Sequence, residues 1–149
     1  MAKKVTDYLN EVDYGDNDSY IPSQFALEFI TFIKLVNGIE GEEHASPTMH
    51  YKMLDNLVKD PYGDVINLCH RGSAKTTVMA EYLFLYAAVY GELPGFGKLW
   101  LAIYVSDSID NGVKSMRKNL EYRWESSEFL QKYIPTINFT DVRWEFTNV

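Results

Sequence analysis

With 149 residues, 46% of them hydrophobic, the chain holds enough apolar material for one ordinary globular domain and too little for a second of normal size. A net charge of −7 excludes a protein that coats nucleic acid through bulk electrostatics, since phosphate neutralisation takes clustered Lys and Arg, although a local basic patch stays open. The longest apolar run, "LFLYAAVY", is too short to span a bilayer, "MAKKVTDYLNEVDYGDNDSY" does not read as a secretory leader, and a lone Cys69 forms no internal disulfide or multi-cysteine metal site; a soluble chain in reducing cytosol, without a membrane, is expected.

Residues 1–22 carry Asp7, Glu11, Asp13, Asp16 and Asp18 with few large aliphatics, and read as a mobile acidic arm ahead of a globular part, 23–149. From Ser23 the pattern becomes helical: Phe25, Phe29, Phe32, Ile33 and Val36 share a face, and Asn37-Gly38 supplies a stop. After the loop "GIEGEEHASPT", Ser46 as N-cap and Pro47 at the first helical position open a second helix with Met49, Met53, Leu57 and Val58 as its stripe. "VINL", residues 65–68, is expected to be a short strand covered on both faces.

Residues 76–90 are apolar nearly all round and predict a central helix under a sheet, closed by Gly91. "LWLAIYV", residues 99–105, reads as a second buried strand, parallel to the first through a right-handed crossover. Ser106, Asp107 and Ser108 offer N-caps for a helix whose apolar stripe is Ile109, Val113, Met116, Leu120 and Trp124. "SSEFLQKYIP" adds a short helix, and "DVRWEFT" alternates like a half-buried strand whose partner is expected after Val149.

Between the first strand and the central helix lies "CHRGSAKTT". The phosphate-loop pattern runs Gly, four residues, Gly-Lys, then Ser or Thr; here the frame reads Cys69, four residues, Ala74-Lys75-Thr76. A loop lysine reaches the outer phosphates, the next hydroxyl ligates Mg²⁺, and successive N–H groups at a helix start surround the anion. Cys69 and Ala74 are small enough to stand in for glycine, and Gly72 takes over part of the turn. The plainer alternative makes Lys75 a solvated helix start, but a cation there opposes the helix dipole, and Arg71 stands four residues before it with no acid between them. Two cations at one helix N-terminus favour a polyphosphate, with Arg71 as a second clamp or γ-phosphate sensor.

That loop, with Arg71 two residues after the first-glycine position and Lys75-Thr76-Thr77 closing it, resembles the ATPase domain of tailed-phage terminase large subunits, the motors that package viral DNA. "SPTMHYKMLDNL" looks like that family's upstream helix with its adenine-contact region, and "LWLAIYVSDSIDNGVKSMRKNL" like its next strand and helix. The resemblance covers residues 25–149 and implies a P-loop NTPase-like, RecA/helicase-like α/β fold, a parallel sheet flanked by helices, of which this chain is the incomplete N-terminal part. It implies ATP and Mg²⁺ as ligands, catalytic roles for Lys75 and Arg71, nucleotide contacts from Cys69, His70, Arg71, Gly72, Ser73, Ala74, Lys75, Thr76 and Thr77, and Thr76 on the metal. It also implies double-stranded DNA, a small terminase subunit and a portal protein as partners of the full motor, in the bacterial host cytoplasm during virion assembly.

Where many relatives carry a glutamine for adenine, this chain offers His50, which reads either as a base contact or as an ordinary exposed helix residue. The only apolar strand ending in Asp is "LAIYVSD", and Asp107 reads more readily as a helix N-cap than as a catalytic acid; the resemblance places the acidic pair past Val149, so that hydrolysis by this chain alone is expected to be feeble. Lys114, Arg117 and Lys118 share a helix face that either tracks DNA or is simply solvated, with Arg117 pairing Glu121. Two other readings stay open: a helicase-like P-loop ATPase, and a truncated, non-catalytic assembly module.

Overall fold

A computed structural model describes residues 20–38 and 45–149; most of the acidic arm and much of the loop after Gly38 lie outside them. Helix α1, Gln24–Asn37, begins where Ser23 Oγ accepts the Ala26 N–H at 3.1 Å and ends at Gly38 with φ 59°. Its buried face carries Phe25, Phe29, Phe32 and Val36 as expected, while Ile33 is half-buried. Helix α2, Thr48–Lys59, has Pro47 rather than Ser46 at the N-cap, with no side-chain cap bond. Its buried residues are His50, Tyr51, Met53 and Leu54; of the expected stripe Met53 is buried, while Met49, Leu57 and Val58 are half-buried. Asp55 ties the two helices together by accepting from the Tyr20 hydroxyl and, at 3.2 Å, from the Ser23 N–H.

After the loop, a π-helical segment, Thr77–Tyr82, runs straight into α3, Leu83–Tyr90, which closes on Gly91 at φ 69°. A two-residue hairpin follows, with β1, Glu92–Leu93, antiparallel to β2, Gly97–Lys98. A second π-helical segment, Ile109–Val113, is capped by Ser108 Oγ and continues into α4, Lys114–Ser126. Ser127 caps α5, Glu128–Tyr133, and the chain ends in β3, Thr136–Phe139, antiparallel to β4, Trp144–Thr147, with Ile137 opposite Phe146. The partner of "DVRWEFT" therefore precedes it in sequence rather than following it.

The core is aromatic. Tyr86 of α3 stacks on Phe29 at 5.1 Å and meets Phe25 and Phe32 edge-on, while Phe32 reaches Tyr90 and Phe129 of α5. Each of the buried rings Phe25, Phe29 and Phe32 contributes roughly 1.5–3 kcal/mol through burial, with edge-to-face geometry adding about 0.5–1.5 kcal/mol per pair.

The expected parallel pair does not form among the described residues. Segments 65–68 and 99–105 join no sheet among the described residues, and residues 64–69 and 100–107 make no backbone-to-backbone hydrogen bond with another described residue. Ile66, Leu68, Trp100 and Val105 are 81%, 93%, 90% and 83% exposed, where burial on both faces was expected. The reason is physical: a strand satisfies its backbone only through lateral neighbours. Neither segment has one among the described residues. Leu99 and Tyr104 alone of 99–105 turn inward, Tyr104 meeting Phe84 edge-on at 6.5 Å. A groove of about 760 Å³ opens between this segment, α3 and β4.

Candidate functional site

The helix after the loop is locked by one charged cluster. Glu81 is the only carboxylate in residues 76–90, and a carboxylate on an otherwise apolar helix must find partners. It finds two: Asn119 Nδ2 donates to Oε1 at 2.8 Å and Arg123 Nε donates to Oε2 at 2.8 Å, with a second guanidinium nitrogen also 2.8 Å from Oε2. Arg123 further donates to the Tyr82 hydroxyl at 2.6 Å and lies 4.4 Å over its ring, and that hydroxyl donates to Asn37 Oδ1 at 2.7 Å. Burial raises the Tyr82 pKa despite the opposing pull of Arg123. The π-helical segment that follows Lys75-Thr76 is thus pinned to both α4 and α1.

The loop itself is a turn. Gly72 adopts φ 85°, Ser73 is buried, and Ala74 adopts φ 54° immediately before the helix begins, marked by the Val78 N–H donating to the Ala74 carbonyl at 3.0 Å. A left-handed φ at a non-glycine residue costs about 1–2 kcal/mol and persists only where surroundings impose it. Ala74 occupies the second-glycine position of the phosphate-loop frame, so the backbone shape that glycine usually supplies is kept without glycine. The Ser73 hydroxyl, in a residue 7% exposed, has no hydrogen-bond partner among the described residues. A buried hydroxyl in that condition carries a cost of about 1–3 kcal/mol that an arriving acceptor would remove.

His70, Arg71, Gly72, Ala74 and Thr76 are exposed, and Cys69, Lys75 and Thr77 are half-buried. Neither Arg71 nor Lys75 has an acidic partner among the described residues. The loop therefore combines two unneutralised cations, an unpaired buried hydroxyl and the first N–H groups of a helix, a donor set that fits an oxyanion. Thr76, where the phosphate-loop frame carries its metal-binding hydroxyl, is exposed and would be free to offer that oxygen to Mg²⁺.

His50 reaches this loop from α2. It is 8% exposed rather than a surface residue, and its Nε2 lies 2.8 Å from the Ser73 carbonyl oxygen, which accepts the bond. One helical turn along, Met53 Sδ accepts from Cys69 Sγ at 3.9 Å. The ring nitrogen given to Ser73 is engaged by the protein's own backbone.

Asp107 is exposed and accepts from Ser106 Oγ at 3.1 Å, and the helix cap it was expected to supply belongs to Ser108. The basic face of α4 is divided: Lys114 pairs with Asp110 at 2.7 Å, Arg117 pairs with Asp141 at 3.1 Å rather than Glu121, and Lys118 is exposed. Glu81 and Arg123 escaped the sequence reading, although a single carboxylate on an apolar helix was a signal for the first. No protein-family model, curated protein or solved structure matches the chain.

Proposed function

We propose that residues 69–77 hold the phosphates of ATP with Mg²⁺, and that the chain is the nucleotide-gripping front part of a viral DNA-packaging motor, a terminase large subunit of P-loop α/β fold. The observation that carries the reading is Ala74 at φ 54° directly before Lys75 and the helix start, the conformation the frame requires of its second glycine. The unpartnered Ser73 hydroxyl beside it supports an oxyanion in the loop.

In this reading Lys75 holds the outer phosphates, Arg71 clamps them from the exposed turn, and the N–H groups of residues 72–76 orient the chain of oxygens. Thr76 supplies the hydroxyl for Mg²⁺. ATP supplies the phosphoanhydride whose cleavage drives the motor; the residues here bind and orient it, and Asp107, bonded to Ser106, is not assigned as the catalytic acid. DNA, a small subunit and a portal are the proposed partners, in the bacterial host cytoplasm. No helix among the described residues is long and apolar enough to cross a membrane.

A second reading, a non-catalytic assembly module, is favoured by the exposed apolar side chains of segments 65–68 and 99–105. Calorimetric titration with MgATP separates the two. Lys75→Ala is expected to weaken binding by about 10–100-fold, the loss of one charge-assisted contact. Equal affinity for both proteins would reject the phosphate loop.

A further inference from the structure

We infer that His50 is a positioning residue which sets the backbone of the loop from outside, doing for Ala74 what a glycine's own freedom does in glycine-bearing loops. The inference rests on the phosphate-loop reading of residues 69–77 and assigns His50 a role other than base recognition.

A carbonyl oxygen has no proton, so His50 Nε2 must be the donor at 2.8 Å, and the ring is held as the Nε2–H form. The peptide unit is planar and trans, so fixing the Ser73 carbonyl toward α2 turns the Ala74 N–H the opposite way, toward the side of the loop away from α2. The next rotation along the chain is the Ala74 φ of 54°, which a residue with a Cβ does not adopt unless held. Gly72, at φ 85°, has open space where a Cβ would stand, so its neighbours do not impose the loop's shape at that point. The holding contact is at Ser73, and both of its ends are buried, His50 at 8% and Ser73 at 7%.

The same helix face touches the loop twice. His50 and Met53, three residues apart on α2, meet Ser73 and Cys69, four residues apart on the loop. Both ends of the five-residue span thus rest on one rigid wall, itself anchored to α1 through Asp55. The Cys69 contact is long and weak, which leaves His50 as the directional bond of the pair.

Three variants of the full chain test this: His50→Leu, which removes the donor, His50→Gln, which keeps an N–H donor, and His50→Leu combined with Ala74→Gly, which removes the need for restraint. Backbone order parameters from 15N relaxation and MgATP affinity are read together. The expected result is order parameters at residues 72–76 falling from about 0.85 to below about 0.6 in His50→Leu with α1 unchanged, and affinity lowered about tenfold. His50→Gln should keep the loop order of wild type and stay within about threefold of its affinity, and Ala74→Gly should restore affinity to the Leu variant. Unchanged loop order in His50→Leu, or a Gln variant as impaired as Leu, would overturn the role. If His50→Leu does not fold, His50→Gln decides alone: loop order like wild type upholds the role and lowered order rejects it. If wild type binds no MgATP, the nucleotide reading fails by itself, and loop order still decides whether His50 is the latch.

Discussion

Two apolar regions of this chain meet opposite fates. The helices α1, α3 and α5 bring Phe25, Phe29, Phe32, Tyr86 and Phe129 into one buried aromatic cluster, whereas segments 65–68 and 99–105, equally apolar, leave Ile66, Leu68, Trp100 and Leu101 in solvent. The difference lies in the backbone rather than the side chains. A helix satisfies its own N–H and C=O groups and can be buried by any complementary surface, while an extended segment needs a neighbour in register before its side chains can leave water. Apolar content identifies what wants burial; hydrogen-bond supply decides what is buried.

The helical region depends on its buried charge pair. Arg123→Ala strands the buried Glu81 carboxylate and is expected to cost about 3 kcal/mol or more, read by urea denaturation. Phe29→Ala removes a fully buried ring and should cost about 3–5 kcal/mol. Trp100→Ser, a comparable loss of aromatic surface from the extended region, should change stability by less than about 0.5 kcal/mol, because Trp100 is 90% exposed. Equal effects from Phe29 and Trp100 would erase the distinction between the two regions.

Smaller effects sharpen it. Ala74→Gly relieves the left-handed strain and should stabilise the chain by about 1 kcal/mol, offset in part by glycine's greater freedom in the unfolded state. Alkaline titration gives the last contrast. Burial, with smaller contributions from Tyr90, Glu28 and Glu92, pushes the Tyr86 hydroxyl from 10.0 up to about 12, and burial also raises Tyr82 and Tyr90. Between pH 10 and about 12 the unfolded chain releases a Tyr86 proton that the native protein keeps, so stability is intact below pH 10 and falls as pH rises through that window. Thermal melting at stepped pH checks this, and Tyr86→Phe should flatten the fall.

The helices were largely legible in sequence because their signals are local. Phe25, Phe29 and Phe32 recur at helical spacing, and Gly38 stops α1 in the structure as in the pattern. The π-helical segments were not, since Thr77–Tyr82 and Ile109–Val113 carry the same apolar spacing as an α-helix, and only the contacts of Glu81 with α4 single out the first. "TINF" was missed as a strand because Thr136 and Asn138 alternate with only two apolar residues, and Pro135 masked its start. At the loop, the spacing of Cys69, Arg71, Lys75 and Thr76 located the turn. The sequence contains no sign of the left-handed Ala74 or of the His50 bond to Ser73, a partner 23 residues earlier in the chain.

Titration of the isotope-labelled chain with MgATP, followed by amide shift perturbation, shows whether the loop 69–77 receives phosphate. The phosphate-loop reading predicts the largest shifts at residues 71–76, their loss in Lys75→Ala, and little change along 99–105. Shifts that are absent, or that centre on the groove between α3 and β4 while the loop stays silent, would contradict it.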